Sequence, residues 1–398
     1  MNYDESIEWL YSTQLFGIKL GLEGPTQLLR EALAFPKRGI KVVQVAGTNG
    51  KGSVCALIDS LARSCGWRTG LFTSPHLVDY RERMHVSGEM ISQDECADFL
   101  TQLRVICERQ ETHPTFFEIT LACALMWFNS RKVELVILEV GMGGRLDATT
   151  AVPVDIGVIT PIALDHTKWL GTTIAEVAGE KAGIIRENQD VFSSPQVPDA
   201  ERVLLEEASQ KRAELTFVRE ALQTYTIGLP GAHQRENASL ALAVLHKLGA
   251  LLSYDAVVEG LKSVRHEGRF ERVTESLVLD AAHNPHAAQS LVSTWKEEMG
   301  EQKAQLIFGA VADKDVAAVA KVVEPIAERV LLVPVNSERG LAPEDLQQHF
   351  SVDCRVCDTL ETALGSTRNA LTLLTGSLFL VGEAKALLRR EKQLPSDQ

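Results

Sequence analysis

Ile40-Lys41-Val42-Val43-Gln44-Val45-Ala46-Gly47-Thr48-Asn49-Gly50-Lys51-Gly52-Ser53 joins a short apolar run to a glycine-rich turn. Residues 51–65 continue with helical spacing through Val54, Leu57, Ile58 and Leu61. The pattern is strand, turn, helix. Its backbone N–H groups and the helix N-terminus can face an anion. Lys51 would add a point charge, and Ser53 a hydroxyl for phosphate or magnesium. The spacing departs from G-x-x-x-x-G-K-[ST], because Val45 stands at the first glycine and Gly52 separates lysine from serine. Taken alone, the run also reads as an ordinary glycine-rich turn.

Outward from this loop, strand-like runs recur at residues 69–73, 133–140 and 154–160, with a helical pattern at 117–128. Near-continuous apolar strands separated by helices predict an α/β fold with a parallel sheet covered on both faces. The second half repeats the style, with strands expected at 277–280, 305–310, 330–335 and 377–381 and helices at Pro285–Met299 and 313–327. Gly268 and the charged run Arg265-His266-Glu267 interrupt the periodicity and mark a junction near 263–268. The chain is thus divided into an N-terminal P-loop-type mononucleotide-binding domain, 1–264, and a smaller Rossmann-like domain, 268–398. Its 398 residues suit two cores.

The formal charge, 40 − 53 = −13, opposes nucleic-acid binding and requires that any phosphate site be built by local groups and bound cations. Met1 to Leu10 carries Asp4, Glu5 and Glu8 with no basic start before an apolar run, and no apolar stretch is long enough for a bilayer, so a cytoplasmic protein without a membrane partner is expected. Seven scattered cysteines suggest free thiols. Cys354 and Cys357 form a C-x-x-C, but residues 352–356 alternate like a strand and no second pair exists, which weighs against zinc or redox use.

Val45 to Ser53 resembles the signature of the folylpolyglutamate synthase/dihydrofolate synthase family, relatives of the Mur ligases of cell-wall synthesis. Mur relatives place the hydroxyl residue directly after lysine, so the inserted Gly52 leans toward the folate branch. The resemblance runs from about Phe16 to Glu383. It implies that Gly47, Thr48, Asn49, Gly50, Lys51, Gly52 and Ser53 cradle ATP phosphates, with Lys51 catalytic.

Leu138-Glu139-Val140-Gly141-Met142-Gly143-Gly144-Arg145-Leu146-Asp147-Ala148 ends an apolar strand with an acid and then glycines, at the edge where open parallel sheets bind ligands. Buried there, Glu139 needs a metal or an ion-pair partner. Ala163-Leu164-Asp165-His166 follows the next strand, and Phe72-Thr73-Ser74-Pro75 another. Ser74, Glu139 and His166 offer an oxygen-rich set acceptable to Mg2+ if water and phosphate complete it. The resemblance implies that these three hold one Mg2+. Lys181, in Glu180-Lys181-Ala182-Gly183, reads by itself as a surface helix lysine. In proteins resembling this one it is carbamylated and supports a second Mg2+.

Gly268-Arg269-Phe270-Glu271 and Asp280-Ala281-Ala282-His283-Asn284-Pro285 also match family motifs. They imply that Arg269 pairs with ATP phosphates, that Asp280 meets the nucleotide and that His283 lies at the glutamate site with a catalytic role. Asn237 resembles the adenine contact, with a helix-start polar residue as the alternative. Lys314 is a candidate partner for a glutamate carboxylate, or a solvated helix start. For the pterin end the resemblance points to Lys19, Leu20, Gly21, Phe116, Phe117, Glu118, Leu146, Asp147 and Ala148; the two phenylalanines also suit a core.

The chemistry this implies is ligation of L-glutamate to dihydropteroate or a reduced folate, using ATP through an acyl phosphate and releasing ADP and phosphate, in a monomer. A synthase acting on folates alone is the nearer alternative. A Mur-type ligase would bring a separate uridine-nucleotide domain, and only 46 residues precede Gly47. A non-catalytic nucleotide-binding regulator would need neither Lys181 nor the Asp280-to-Pro285 motif.

Overall fold

A computed structural model of the chain describes residues 1–17, 21–367 and 370–395. The first sheet contains β1 (Lys41–Ala46), β2 (Thr69–Phe72), β3 (Met84–Val86), β4 (Glu89–Met90), β5 (Leu135–Glu139), β6 (Ile156–Ile159), β7 (Asp190–Ser193) and β8 (Glu214–Phe217). Their spatial order is β4-β3-β2-β5-β1-β6-β7-β8. The run from β2 to β8 is parallel, while β3 and β4 continue as an antiparallel edge. Because β1 is buried on both faces beyond the exposed Lys41, its one buried polar member, Gln44, must be paired, and its amide donates to the hydroxyls of Thr149 and Thr150. Helices cover both faces. Helix Lys51–Ser64 packs with Ala232–Lys247 and Tyr254–Ser263 on one side, and the largely buried Phe116–Ser130 with Gln93–Cys107 lies on the other.

The register positions the site. Val45 lies beside Glu139, and Ala46 beside Ile159. The glycine turn after β1, the end of β5 and the segment after β6 therefore leave the sheet side by side at its carboxyl edge.

The second sheet contains β9 (Glu271–Arg272), β10 (Leu277–Leu279), β11 (Ala304–Phe308), β12 (Ala327–Leu332), β13 (Cys354–Val356) and β14 (Thr372–Thr375), in the order β13-β12-β11-β14-β10-β9. All pairs are parallel except β9 with β10. The expected α/β class, with a parallel mononucleotide-binding sheet and a smaller second α/β unit, is the one observed. Two local expectations need correction. Residues 377–381 are not a strand. Ser377 caps helix Leu378–Arg389 by accepting from Phe379 N, and the strand is β14 just before it. A short apolar run has no period by which to tell a buried helix start from a strand. Residues 313–327 are not one helix either. Asp315 caps Val316–Val323, Glu324–Ile326 with its Pro325 forms a tighter turn, and Ala327 already begins β12.

Leu77 and Val78, which follow Ser74, are buried within the core of the second sheet. At the other end of the chain, Leu394 N donates to Val78 O at 2.8 Å and Tyr11 Oη to Pro395 O at 2.6 Å. Among the described residues no helix is long and apolar enough to cross a membrane. All seven cysteines are free, those of the C-x-x-C included.

Candidate functional site

The turn after β1 accepts only glycine at its first position. Gly47 has φ 148°, and a Cβ there would lie 1.8 Å from Thr160 Oγ1. Thr48 and Asn49 then pin the loop to the segment after β6. Their amides donate to Pro161 O at 3.0 and 3.3 Å, and Thr48 Oγ1 donates to Ala163 O at 2.9 Å. These two amides were expected in the anion cradle, but a carbonyl already uses them. Gly50, at φ 88°, turns the chain into helix Lys51–Ser64, whose first turn carries backbone donors without intrahelical partners. An anion at this loop would meet the stretch Gly50 to Ser53.

Two lysines converge on Gly47. Lys51 Nζ donates to Gly47 O and Thr48 O, both at 3.2 Å, and Lys181 Nζ donates to Gly47 O at 2.8 Å. Lys181 is 4% exposed, so it is not a surface helix lysine. Burial and then the Lys51 charge lower its pKa to about 7. Its helix, Ile174–Ala182, reaches the site because Gly144 has no side chain. A Cβ on Gly144 would lie 2.8 Å from Glu180 O.

Glu139 is 6% exposed, and its Oε2 accepts the Ser74 amide at 3.0 Å. Burial raises its pKa, opposed by Lys51, the Ser74 amide and Arg269. His166 enters from the next loop in a left-handed conformation, φ 50°, and the Lys51 charge acts on both Glu139 and His166. Among the described residues no three His, Cys, Asp or Glu side chains are grouped to hold a metal by themselves. A cation here would need oxygen from Ser74 and from phosphate or water, which suits a hard divalent ion.

The second domain closes over the loop. Arg269 acts electrostatically on Glu139, Asp280, His233 and His266. His266, which carried no expectation, packs on the cradle itself. Ser53 Oγ and His266 Nδ1 are 3.2 Å apart, and a Cβ on Gly52 would lie 2.6 Å from His266 Cε1. Asp280 is buried and accepts the amides of Phe270 at 2.8 Å and Ala282 at 2.9 Å, so it braces the junction. Asn237 faces Gly50 from the neighbouring helix and donates to Gln234 at 2.9 Å.

Asp165, Asn284 and His286 were also missed. Lys314 Nζ lies 2.5 Å from Asp165 Oδ1, and His283 Nε2 lies 3.5 Å from Asp165 Oδ2. Lys314 is therefore an ion-pair partner across the junction and not a solvated helix start. Asn284 donates to Asp165 at 3.2 Å and exchanges hydrogen bonds with Asn49, which also contacts His286. The only hint in sequence was adjacency, Asp165 to His166 and Asn284 to His283.

At the proposed pterin end, Lys19 and Leu20 lie outside the described residues, and Gly21 is half-buried. Phe116 is core, packed with Tyr11 and Tyr80 and under Arg83. Phe117 is half-buried and sits against Gly141, whose Cβ would meet its ring at 2.9 Å. Glu118 caps its own helix through Thr115. Leu146 is exposed and Ala148 buried. Asp147 was expected to meet the pterin ring, but its carboxylate accepts Gly141 N, Met142 N, Thr149 N and Thr149 Oγ1. With about four acceptor positions on a carboxylate, it is filled by its own loop.

Known proteins resemble this chain over both of its sheets. The Mur ligase middle domain matches residues 45–192, and the Mur ligase glutamate ligase domain matches 268–378. The dihydrofolate synthase/folylpolyglutamate synthase of Bacillus subtilis is 32% identical, over 97% of this chain and 99% of its own. An Escherichia coli FolC structure in complex with DHPP and ADP superposes with a TM-score of 0.88 at 29% identity, covering 97% of this chain and 98% of that one. A solved bifunctional folylpolyglutamate synthase/dihydrofolate synthase with Mn, AMPPNP and L-glutamate bound gives 0.86 at 31%, covering 96% and 98%.

Proposed function

This chain belongs to the dihydrofolate synthase/folylpolyglutamate synthase family of the Mur ligases, and on that premise we propose how its residues perform the family's reaction. The protein is an ATP-dependent ligase that joins L-glutamate to dihydropteroate and to folates, forming ADP and phosphate. One observation carries the assignment of roles. The phosphate loop and the pocket of His283 and Lys314 are tied together through Asn49, Asn284 and Asp165.

A carboxylate is a poor electrophile, so activation comes first. Its oxygen attacks the γ-phosphorus of ATP, the bond to ADP breaks, and an acyl phosphate forms. The amides of Gly50 to Ser53 receive phosphate oxygens, and Lys51 swings from its own loop carbonyls to the transferring group. Arg269 clamps phosphate across the junction, braced by Asp280, while Asn237 lies beside the loop for the adenine end. The amine of glutamate then attacks the acyl carbon, giving the amide and releasing phosphate. Lys314 takes a glutamate carboxylate and His283 lies at the amine. Domain closure at His266 excludes water from the acyl phosphate.

A divalent cation, which we take as Mg2+, is assigned to Ser74, Glu139 and His166, because the buried Glu139 accepts the Ser74 amide and the Lys51 charge acts on both Glu139 and His166; bound there, it would offset the charge of the phosphates. Lys181, with its pKa near 7, has the neutral amine that carbon dioxide requires, and as a carbamate it would supply oxygen to a second Mg2+. The pterin end is assigned to Phe117 and to Gly141, Leu146 and Ala148 on the loop held by Asp147. Residues 1–264 and 268–398 are the two working domains, and the enzyme acts as a cytoplasmic monomer without nucleic acid or membrane.

The test is ADP release measured in parallel with dihydropteroate, tetrahydrofolate and a Mur substrate, each with and without glutamate. Glutamate-dependent turnover with the first two supports the reading. Turnover with the Mur substrate alone overturns it.

A further inference from the structure

We propose that Asp165 receives the α-ammonium of the incoming amino acid, and that the Asp165–Lys314 ion pair is a zwitterion-recognition device opened by exchange. The inference rests on the ligase reading above, which uses Asp165 only to tie loop and pocket together, and gives that residue a role toward the substrate. Asp165 lies deep in the junction, with a side chain only 9% exposed beside a Lys314 side chain 10% exposed. Its two oxygens are fully organised. Oδ1 meets Lys314 Nζ at 2.5 Å and the His166 amide at 2.8 Å, while Oδ2 faces Asn284 Nδ2 at 3.2 Å and His283 Nε2 at 3.5 Å.

An amino acid dicarboxylate carries one ammonium and two carboxylates. At the pair, its ammonium replaces Lys314 on Asp165, and one carboxylate takes the released Lys314. The buried Asp165 and Lys314 each keep a partner throughout, which matters because an unpaired charge in such a place is costly. A dicarboxylate lacking the amine releases Lys314 only by leaving Asp165 without its ion-pair partner. The pair therefore discriminates for the amine, the group that must react.

The same network sets where the amine sits. Asn284, which donates to Asp165, is bonded in both directions to Asn49 of the phosphate loop, at 3.0 and 3.2 Å. Asp165 also directly precedes His166, a proposed cation ligand. An ammonium on Asp165 is thus held in fixed relation to the phosphate loop, next to the acyl phosphate. It must lose a proton before attack. His283 Nδ1 lies 2.9 Å from the carbonyl of Ala281, which can only accept, so a neutral His283 ring leaves Nε2 bare toward Asp165. One ammonium proton passes to that nitrogen, the freed lone pair forms the C–N bond, and phosphate leaves with the electrons of the C–O bond and takes the second proton from the new amide nitrogen.

The experiment compares the KM for L-glutamate with the inhibition constant of glutarate, which has both carboxylates and no amine, in wild type, Asp165→Asn, Asp165→Glu and Lys314→Met. Asp165→Asn should raise the KM for glutamate about tenfold to a hundredfold, the value of one charged hydrogen bond, without weakening glutarate, so the preference for glutamate collapses. Asp165→Glu should keep the preference, and Lys314→Met should weaken both ligands together and also keep it. Acyl phosphate trapped with hydroxylamine in the absence of glutamate should form normally in Asp165→Asn. An unchanged preference in active Asp165→Asn, or equal weakening of both ligands, overturns the role of Asp165 alone. If Asp165→Asn does not fold, loss of the preference in Lys314→Met overturns it instead. A wild type without glutamate-dependent ADP release refutes the ligase reading itself, before any variant is compared.

Discussion

Replacing Lys181 with methionine should abolish ligation while stabilising the fold at neutral pH, and the two effects have one cause. A free lysine side chain has a pKa of about 10.4, so at pH 7.5 about one in a thousand is neutral. Burial and the Lys51 charge bring Lys181 to about 7, so roughly three quarters of it is neutral at that pH. The fraction able to react with carbon dioxide is therefore raised by several hundredfold. Between about pH 7 and 10 the unmodified folded protein binds fewer protons than the unfolded chain. Its stability thus rises with pH across that window and is lost as pH falls toward 7. Lys181→Met removes this slope, which thermal melts in carbon dioxide-free buffer at pH 7 to 9 will read against wild type. For activity, the enzyme is held at pH 6 without carbon dioxide and assayed at pH 7.5 with or without bicarbonate. Recovery should be slow and occur only with bicarbonate, 13C-labelled bicarbonate should give a carbamate signal, and short carboxylates should partly rescue Lys181→Ala. A fully active Lys181→Arg, or recovery independent of bicarbonate, would rule out a carbamate on Lys181.

Lys51→Ala should lower turnover about a hundredfold or more, as for loss of one transition-state charge donor, with the melting temperature little changed because no core cavity opens. Gly52→Ala puts a Cβ 2.6 Å from His266 Cε1 and should weaken ATP binding by about 1–3 kcal/mol, with His266→Ala restoring it in the double variant; nucleotide titration reads both. Asp147→Ala strands the Gly141, Met142 and Thr149 amides at about 1–3 kcal/mol each, so melting temperature and both ligations should fall together. A selective loss of dihydropteroate ligation in that variant would instead point to direct contact with the pterin.

The central sheet was legible because a parallel strand buried on both faces must be almost wholly apolar, and those of β1 and β5 end in Gly47 and in Glu139 followed by Gly141. The short antiparallel strands β3, β4 and β9 leave no comparable trace, since two or three residues hold no period. Residues 377–381 read as a strand because the capping action of Ser377 depends on geometry that follows it. Lys181 gave no local sign of burial; its helix meets the Gly144 loop, which is distant in sequence. Asp165 and Asn284 are 119 residues apart and become partners only when the domains meet. Asp147 illustrates the reverse. Its type and place suited a ligand contact, yet the amides of its own loop take the carboxylate.

The most direct test of the central claim follows oxygen from the acceptor carboxylate. Dihydropteroate labelled with 18O in its carboxyl group is incubated with enzyme, ATP, Mg2+ and L-glutamate, and the phosphate released is analysed by mass spectrometry. Attack of that carboxylate on the γ-phosphorus predicts one 18O atom in each phosphate, with one ADP per amide formed. Unlabelled phosphate accompanying amide formation would contradict the acyl phosphate route.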